Sequence, residues 1–128
     1  MVLDIAVEKT VDNIPIVRVK GEIDLHTCSA FRETLRDLID QKNFEVVIDL
    51  GDVPYLDSAA LGVLVDAVRR VREYGGGISL VATTPFVRRA FEITRLVKIF
   101  MLYDDEPQAI EGVRDRVRAA GSEAEAAS

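Results

Sequence analysis

Two short apolar runs near the start of the chain predict a pair of strands. They cover residues 2–8 and 14–20 and are rich in β-branched side chains, with residues 11–13 between them and Pro15 beside the turn. Such runs joined by turn-forming residues are typical of antiparallel hairpins. We therefore expect this pair to form one side of a sheet.

Four later segments place apolar residues three and four positions apart, which is the spacing of an amphipathic helix. The predicted helices run from Thr27 to about Lys42, from 58 to about 74, from Thr84 onwards, and from Asp104 or Asp105 onwards. Thr27 and Thr84 can cap their helices through the side-chain oxygen. Pro85 and Pro107 suit first turns because the φ of proline is already helical. The side chains predicted to face the core are Phe31, Leu35, Leu38, Ile39, Leu61, Leu64, Val65, Val68, Val71, Val87, Ala90, Phe91, Ile110, Val113 and Val117.

Three further apolar segments predict strands at residues 45–50, 78–82 and 97–102. The almost uniformly apolar run at 46–50 is typical of a strand that is covered on both faces. Glycines 75–77 follow a helix and precede a strand, which is the place of a helix C-terminal cap and the reverse of the order in phosphate-binding loops. The order of elements predicts an α/β fold, with a mixed sheet of about five strands, an N-terminal antiparallel pair and about four covering helices.

The composition is that of one domain. The chain has 128 residues, 48% of them hydrophobic, and it has no apolar tract long enough to span a membrane. Residues 1–10 lack the basic start and long apolar core of a secretion signal, so we expect a cytoplasmic location. The domain is predicted at residues 1–118, followed by an acidic tail at 119–128 whose small and charged residues predict disorder.

The charge balance argues against direct contact with nucleic acid. The net charge of −6 and the pI of about 4.8 would repel a phosphate backbone, and the basic residues form no groove lined by aromatic side chains. The small arginine groups at Arg69, Arg70, Arg72, Arg88, Arg89 and Arg95 are compatible both with a solvated helix face and with a partner-binding face.

The chain has a single cysteine, Cys28, so it cannot form an internal disulfide. The helical spacing of Cys28 with Phe31 predicts that the thiol is buried.

The candidate chemistry centres on Ser58. This residue follows the apolar run at 46–50 and a turn, and it begins the predicted helix, so its hydroxyl is expected at a helix N-terminus. The free amides and the dipole of a helix favour negative charge there, and an added phosphate would be tolerated. The alternative is that Ser58 or Asp57 only caps the helix, which contributes about 1 kcal/mol. The two roles are compatible.

Several stretches of the sequence carry a family resemblance over about the first 113 residues. They are residues 21–27 (GEIDLHT), 46–65 (VVIDLGDVPYLDSAALGVLV), 75–77 before ISLVATTP, 87–96 (VRRAFEITRL) and 98–110 (KIFMLYDDEPQAI). Together they resemble the STAS domain of the anti-sigma factor antagonist family. The sequence departs from the family at two places. Ala59 and Ala60 stand where a second Ser or Thr and a Gly are usual, and Arg95 stands where a Gly is common.

The resemblance implies a regulatory binding protein, not an enzyme, and it implies no cofactor and no metal. In the family, the serine directly after the aspartate, here Ser58, is phosphorylated by a serine kinase that doubles as the anti-sigma factor. The unphosphorylated protein binds that kinase and frees the sigma factor, and a separate serine phosphatase resets the cycle. The oligomeric state stays open between a monomer and a weak dimer. The residues implied in partner binding are Asp57, Ser58, Leu61, Gly62, Asp24 and Thr27.

Structural roles for some of these residues are compatible with the same sequence. Asp24 can be a turn or cap residue, Leu61 can belong to the core, and Gly62 can relieve crowding between packed helices. A STAS module of a different assembly, such as a stressosome-like scaffold or a transporter accessory subunit, would use Ser58 only as a cap.

A small serine hydrolase is the alternative from another functional class. Asp57, Ser58 and His26 supply the three residue types of a catalytic triad. The G-x-S-x-G elbow is absent, however, and Asp57 adjoins the serine instead of orienting a base. With one histidine and one cysteine in the chain, we also expect no zinc site.

Overall fold

A single mixed sheet organises the fold. The computed structural model describes residues 3–82 and 84–127, with side chains as far as residue 121. The strands are β1 (Asp4–Lys9), β2 (Pro15–Lys20), β3 (Glu45–Asp52), β4 (Gly77–Val81) and β5 (Met101–Tyr103). They lie in the order β1-β2-β3-β4-β5, with β1 antiparallel to β2 and the other neighbours parallel. This confirms the predicted mixed sheet and its antiparallel pair.

Helices cover both faces of this sheet. In the described residues the α-helices are α1 (Cys28–Asp40), α2 (Ser58–Arg72), α3 (Pro85–Ile93) and α4 (Glu106–Ala127). The first three pack on the face that carries Val46 and Ile48, and α4 packs on the other face, against Val47. Lying between two helical layers, β4 is buried along its whole length, as expected of an interior parallel strand. None of the helices described is both long and apolar enough to cross a bilayer.

Most of the predicted core positions are confirmed. The predicted core residues that are at most 2% exposed are Phe31, Leu35, Leu64, Val68, Val71, Val87, Phe91 and Val113. Cys28 is buried beside the same apolar stripe of α1, as predicted. Leu61 and Val65 are only partly buried, because they lie on the flank of α2 and not on the side that faces the sheet.

The C-terminal helix differs from the sequence-based expectation in one predicted core position. Val117, predicted to face the core, is 55% exposed. Arg116 already reaches the carboxylate of Glu45, the first residue of β3, at 2.8 Å, so Val117 lies at the edge of the sheet. The helix extends to Ala127, and its last turns consist mostly of alanine and glutamate, which are strong helix formers. The disorder expected for the tail at 119–128 stays a prediction. Ser128, and Val2 in the first predicted strand, lie outside the described residues.

The strand predicted at 97–102 is wrong over residues 97–100. Arg95 adopts a left-handed conformation with φ of +60°, and a 3₁₀ turn then spans Leu96–Lys98. The strand β5 therefore begins only at Met101. Phe100 fills the core just before that strand and is 3% exposed. An apolar run alone does not distinguish a strand from a turn whose side chains reach the core.

The glycines after α2 end that helix, as predicted. The amide of Gly75 donates to the carbonyl of Arg72 at 3.1 Å, and the amide of Gly76 donates to the carbonyl of Val71 at 2.8 Å. Gly75 has a φ of +77°, which glycine adopts without a steric penalty. This pattern satisfies carbonyl groups at the end of α2 and turns the chain into β4.

The starts of α3 and α4 are also predicted from cap residues in the sequence. Thr84 precedes α3, but its hydroxyl donates to the carbonyl of Val53 at 3.2 Å, so the predicted side-chain cap is wrong. The hydroxyl instead ties the start of α3 to the loop that follows β3. Asp105 accepts a hydrogen bond from the amide of Gln108 at 2.9 Å and caps α4, in agreement with the sequence.

Candidate functional site

Backbone hydrogen bonds join the loops that follow β2 and β3 at one edge of the sheet. Ile23 and Leu56 form a parallel bridge, and the amide of Ile23 donates to the carbonyl of Tyr55 at 3.1 Å. The amide of Asp57 donates back to the carbonyl of Ile23, also at 3.1 Å. The predicted partner residues of the two loops therefore lie at the same edge, which spacing along the chain alone did not establish.

Asp57 caps α2 and also holds the neighbouring loop. One carboxylate oxygen, Oδ1, accepts a hydrogen bond from the amide of Ala60 at 3.1 Å, which caps the helix. The other, Oδ2, accepts from the amide of Leu25 at 3.0 Å. A negative carboxylate in this position also interacts favourably with the positive end of the helix dipole. Of the two cap candidates considered from the sequence, the aspartate is the one that performs this role.

Ser58 is the first residue of α2 and is exposed. Within the described part of the chain, its hydroxyl makes no hydrogen bond. The amides in the first turn of a helix have no acceptor inside the helix, and Asp57 occupies only that of Ala60. An anion attached to the Ser58 oxygen would therefore stand in solvent beside a positive helix end.

Asp24 and Thr27 are bonded to each other's backbone at the start of α1. Oδ1 of Asp24 accepts hydrogen bonds from the amides of His26 at 2.9 Å and Thr27 at 3.0 Å. The hydroxyl of Thr27 accepts from the amide of Asp24 at 3.0 Å and donates to the carbonyl of Glu22 at 2.9 Å. Thr27 occupies the cap position without a side-chain cap bond, so its predicted capping role is wrong. Asp24 acts as the turn residue considered from the sequence.

The hydrogen bonds to Asp24 also change its ionisation. Burial raises the pKa of this carboxyl, but the amides of Thr27 and His26 outweigh that effect, and the pKa lies below its ordinary value. The start of α1 thus carries a carboxylate that is stabilised in its charged form by the backbone.

Leu61 and Gly62 lie in the first turns of α2 and differ in their surroundings. Leu61 is partly buried and packs against the core, in line with the core role considered for it. Gly62 is exposed, and a Cβ built on it would meet no atom of the described residues within 4 Å. Among those residues there is thus no crowding between helices for this glycine to relieve. It leaves a smooth, accessible stretch of helix beside Ser58.

The residues of the hydrolase alternative do not form a triad. Both oxygens of Asp57 accept hydrogen bonds from backbone amides. In the described residues, no hydrogen bond connects the His26 ring with the Ser58 hydroxyl or with Asp57. A triad requires the acid to orient the base and the base to contact the nucleophile, and neither contact is present. Among the residues described there is also no cluster of three potential metal ligands.

Sequence reasoning missed three exposed apolar side chains around these loops. Leu25 is 72% exposed, Tyr55 is 41% exposed and Phe86 is 50% exposed. The rings of Tyr55 and Phe86 lie with their centroids 5.5 Å apart. We call these three residues the apolar patch. Leu25 and Tyr55 are part of the matching segments quoted above, but an apolar residue in such a segment is indistinguishable from a core residue without the fold.

Comparison with known proteins gives a consistent result. The STAS domain family matches residues 6–109. An anti-sigma F factor antagonist of Paenibacillus polymyxa is 31% identical over 96 residues, which cover 74% of this chain and 82% of the relative. An anti-sigma-B factor antagonist of Bacillus subtilis is 37% identical over 83 residues, which cover 65% of this chain and 75% of the relative.

Solved structures agree with these sequence relatives. The crystal structure of an anti-sigma factor antagonist from Mycobacterium paratuberculosis superimposes with a TM-score of 0.81 at 31% identity. The alignment covers 88% of this chain and 94% of that one, so the similarity extends over most of both chains.

Proposed function

The chain belongs to the STAS domain family, and from this premise we propose that it is a cytoplasmic anti-sigma factor antagonist that phosphorylation of Ser58 switches off. Unphosphorylated, it binds an anti-sigma factor that is also a serine kinase, and the sigma factor is released. The relatives from Paenibacillus polymyxa and Bacillus subtilis, which bear the name of anti-sigma factor antagonists, support this role.

The observation that carries the proposal is that Asp57 makes the structural hydrogen bonds at the start of α2, whereas Ser58 makes none in the described residues. Asp57 caps α2 and bonds the neighbouring loop, whereas the Ser58 hydroxyl is exposed at the helix start. Modifying that hydroxyl removes no hydrogen bond on which the described fold depends. Ala59 and Ala60 offer no second hydroxyl in this turn, so the modification has one target.

In the proposed reaction, Ser58 receives the terminal phosphoryl group of ATP. A bond forms between Oγ and the γ-phosphorus, the bond from that phosphorus to the β-phosphate oxygen breaks, and ADP leaves, while the hydroxyl proton passes to a base of the kinase. ATP and magnesium are bound by the kinase, so this chain needs no cofactor of its own. A separate serine phosphatase hydrolyses the phosphoester with water and resets the protein.

Phosphorylation is expected to lower affinity for the partner without unfolding the domain. A phosphoserine adds a charge of about −1.5 to −2 at neutral pH. The helix dipole and the free amides partly offset this charge while the protein is alone. A partner docked over the same surface must remove water from the phosphate and from the adjacent Asp57 carboxylate, which is costly when the charges are not matched.

The proposed docking surface combines the residues implied by the resemblance with the apolar patch. Ser58 and Gly62 are exposed, and the other implied residues, Asp24, Thr27, Asp57 and Leu61, are partly exposed. Aromatic side chains are common anchors at the centres of protein interfaces. The carboxylates of Asp24 and Asp57 beside the patch favour a partner surface with an apolar centre and basic residues around it.

The experiment combines phosphorylation with affinity measurement. The purified protein is incubated with ATP and an anti-sigma factor kinase from the organism that encodes it, and the modified residue is located by mass spectrometry. We expect phosphate on Ser58 and none on Ser58→Ala. The alanine variant should bind the kinase with wild-type affinity and keep binding it in the presence of ATP.

Charge variants separate affinity from stability. Ser58→Asp should weaken kinase binding about tenfold or more, with a small change in melting temperature, because the added carboxylate lies in the interface. The control is Gln41→Glu, which adds one negative charge at the exposed end of α1, away from the docking surface, and should leave affinity unchanged. Unmodified Ser58 after exposure to its kinase, or wild-type affinity of Ser58→Asp, would contradict the proposed switch.

A further inference from the structure

A second cleft lies at the edge of the sheet opposite Ser58. It has a volume of about 610 Å³ and lies where β3, β4 and β5 begin, between the end of α2 and the later turns of α4. We call it the distal cleft, and its main lining residues are Phe44, Glu45, Arg72, Tyr74, Lys98 and Arg116. At about 3.3 Å per residue, β3 alone separates the two edges by about 23 Å. The distal cleft therefore shares no residue with the docking surface.

The glycines after α2 determine how closely the chain passes along this cleft. A Cβ on Gly76 would lie 1.8 Å from the carbonyl oxygen of Phe44, and one on Gly77 would lie 2.7 Å from the terminal methyl of Met101. A side chain at Gly76 would therefore displace the backbone beside Phe44. The close approach brings the end of α2 and the start of β3 together and forms one wall of the cleft.

An aromatic pair stands in this wall. The rings of Phe44 and Tyr74 are stacked, with centroids 4.2 Å apart and planes inclined by 7°. Tyr74 is 64% exposed, although aromatic surface is usually buried. The pair thus presents a flat, rigid apolar surface on which another ring could stack.

The charges of the distal cleft differ from those of the protein as a whole. The chain has a net charge of −6, yet the cleft is lined by Arg72, Lys98 and Arg116 against the carboxylate of Glu45. Arg116 pairs with Glu45 at 2.8 Å. Arg72 and Lys98 are exposed, and in the described part of the chain neither forms an ion pair. Among the side chains that the structure describes, two positive charges without an ion-pair partner therefore line the cleft.

Arg116 lines the cleft, and its terminal nitrogens are bonded within the fold. One terminal nitrogen donates to Glu45 and to the hydroxyl of Ser79 at 3.0 Å, and the other donates to the hydroxyl of Tyr103 at 3.3 Å. The third nitrogen, Nε, is buried and makes no hydrogen bond in the described residues. A buried donor without an acceptor is uncommon in folded proteins.

From these features we propose that the distal cleft binds a small organic anion that carries a flat ring, such as an aromatic phosphate ester or carboxylate. The ring stacks on Tyr74, and the acidic group is held between Arg72 and Lys98. The volume lies in the range of small-molecule sites, about 300–1,000 Å³. This proposal does not rest on phosphorylation of Ser58, because the two sites share no residues.

The test is a titration of the ¹⁵N-labelled full chain followed by NMR. Phenyl phosphate is the main probe, inorganic phosphate lacks the ring, and phenol lacks the charge. We expect saturable amide shifts at residues 44–45, 72–77 and 98–101 with phenyl phosphate, and binding at least about fivefold weaker with either partial probe. If inorganic phosphate binds as tightly as phenyl phosphate, the ring contributes nothing to binding, and the proposed recognition of an aromatic anion is wrong. Shifts confined to residues 57–62 would overturn the proposal itself.

Variants test which side chains hold the probe. Lys98→Ala and Tyr74→Ala should each weaken phenyl phosphate binding about fivefold, since one removes a charge and the other the stacking surface. Arg89→Ala removes an exposed arginine of α3 and is the matched control, which should bind like the unmodified protein. Melting curves confirm that each variant is folded. If all three variants bind equally well, the cleft is not the binding site, whereas the function proposed for Ser58 is unaffected.

Discussion

Helices α1 and α2 begin at the same edge of the sheet, and each has an aspartate and a hydroxyl residue at its start, but they use them differently. At α1, the hydroxyl of Thr27 is bonded to the backbone of Glu22 and Asp24. At α2, Asp57 alone provides the cap, and the Ser58 hydroxyl is exposed. One hydroxyl is therefore part of the fold, while the other is available for chemistry. This difference in surroundings supports the proposal that Ser58 is the phosphorylated residue.

The largest effect is expected from Asp57→Ala. This change removes the acceptor for the amides of Ala60 and Leu25, so it uncaps α2 and releases the neighbouring loop. We expect the free energy of unfolding in urea to fall by about 2 kcal/mol, because one cap is worth about 1 kcal/mol and a second amide loses its partner. Asp57→Asn, which keeps an acceptor oxygen, is the control and should lose less. Unchanged stability of the alanine variant would mean that α2 is capped in another way.

A smaller effect separates the two hydroxyls directly. Thr27→Val keeps the shape of the side chain but removes the hydrogen bonds to Glu22 and Asp24, and should lower the free energy of unfolding by about 1 kcal/mol. Ser58→Ala is the matched variant at the other helix, and should change it by no more than about 0.5 kcal/mol. If both variants lower the free energy of unfolding in urea by the same amount, the two hydroxyls do not differ in their structural role.

The smallest effect is the pH dependence at the start of α1. The folded-state pKa of Asp24 is lowered, so its contribution to stability is present above the unfolded value of about 3.9 and is lost as the pH falls through the folded value. Asp24→Asn keeps an acceptor oxygen but cannot titrate. Its urea midpoint should therefore fall less than that of the unmodified protein between about pH 5 and pH 2.5. Asp37→Asn, at an exposed position of α1, is the control and should follow the unmodified protein.

Much of the fold could be predicted because its signals are local. The inner face of α1, from Phe31 to Ile39, follows from helical spacing, and the end of α2 follows from glycine at positive φ. The start of β5 could not be predicted in this way. Arg95 adopts a left-handed conformation, and no local rule predicts this conformation for arginine. The apolar residues after it were therefore interpreted as extended chain.

The candidate site was only partly predictable for the opposite reason. Ser58 at a helix start follows from the pattern of its own segment, but its proximity to Asp24 depends on the bridge between Ile23 and Leu56, which are far apart in sequence. The expectation that Ser58 and Asp24 lie close together came from the family resemblance, because the periodicity of a sequence does not predict contacts between distant segments. Exposure of Leu25 was also missed, because an apolar residue is expected in the core until its neighbours in space are known.

The double hydrogen bonding of Asp57 has a consequence for the kinetics and thermodynamics of association. With one oxygen on the amide of Leu25 and the other on that of Ala60, the loop and the helix are held in one geometry before any encounter. In the proposed complex, the conformational entropy of that loop is therefore lost during folding and not during association. A rigid recognition surface retains more of its contact energy as affinity, and it needs no slow rearrangement after collision.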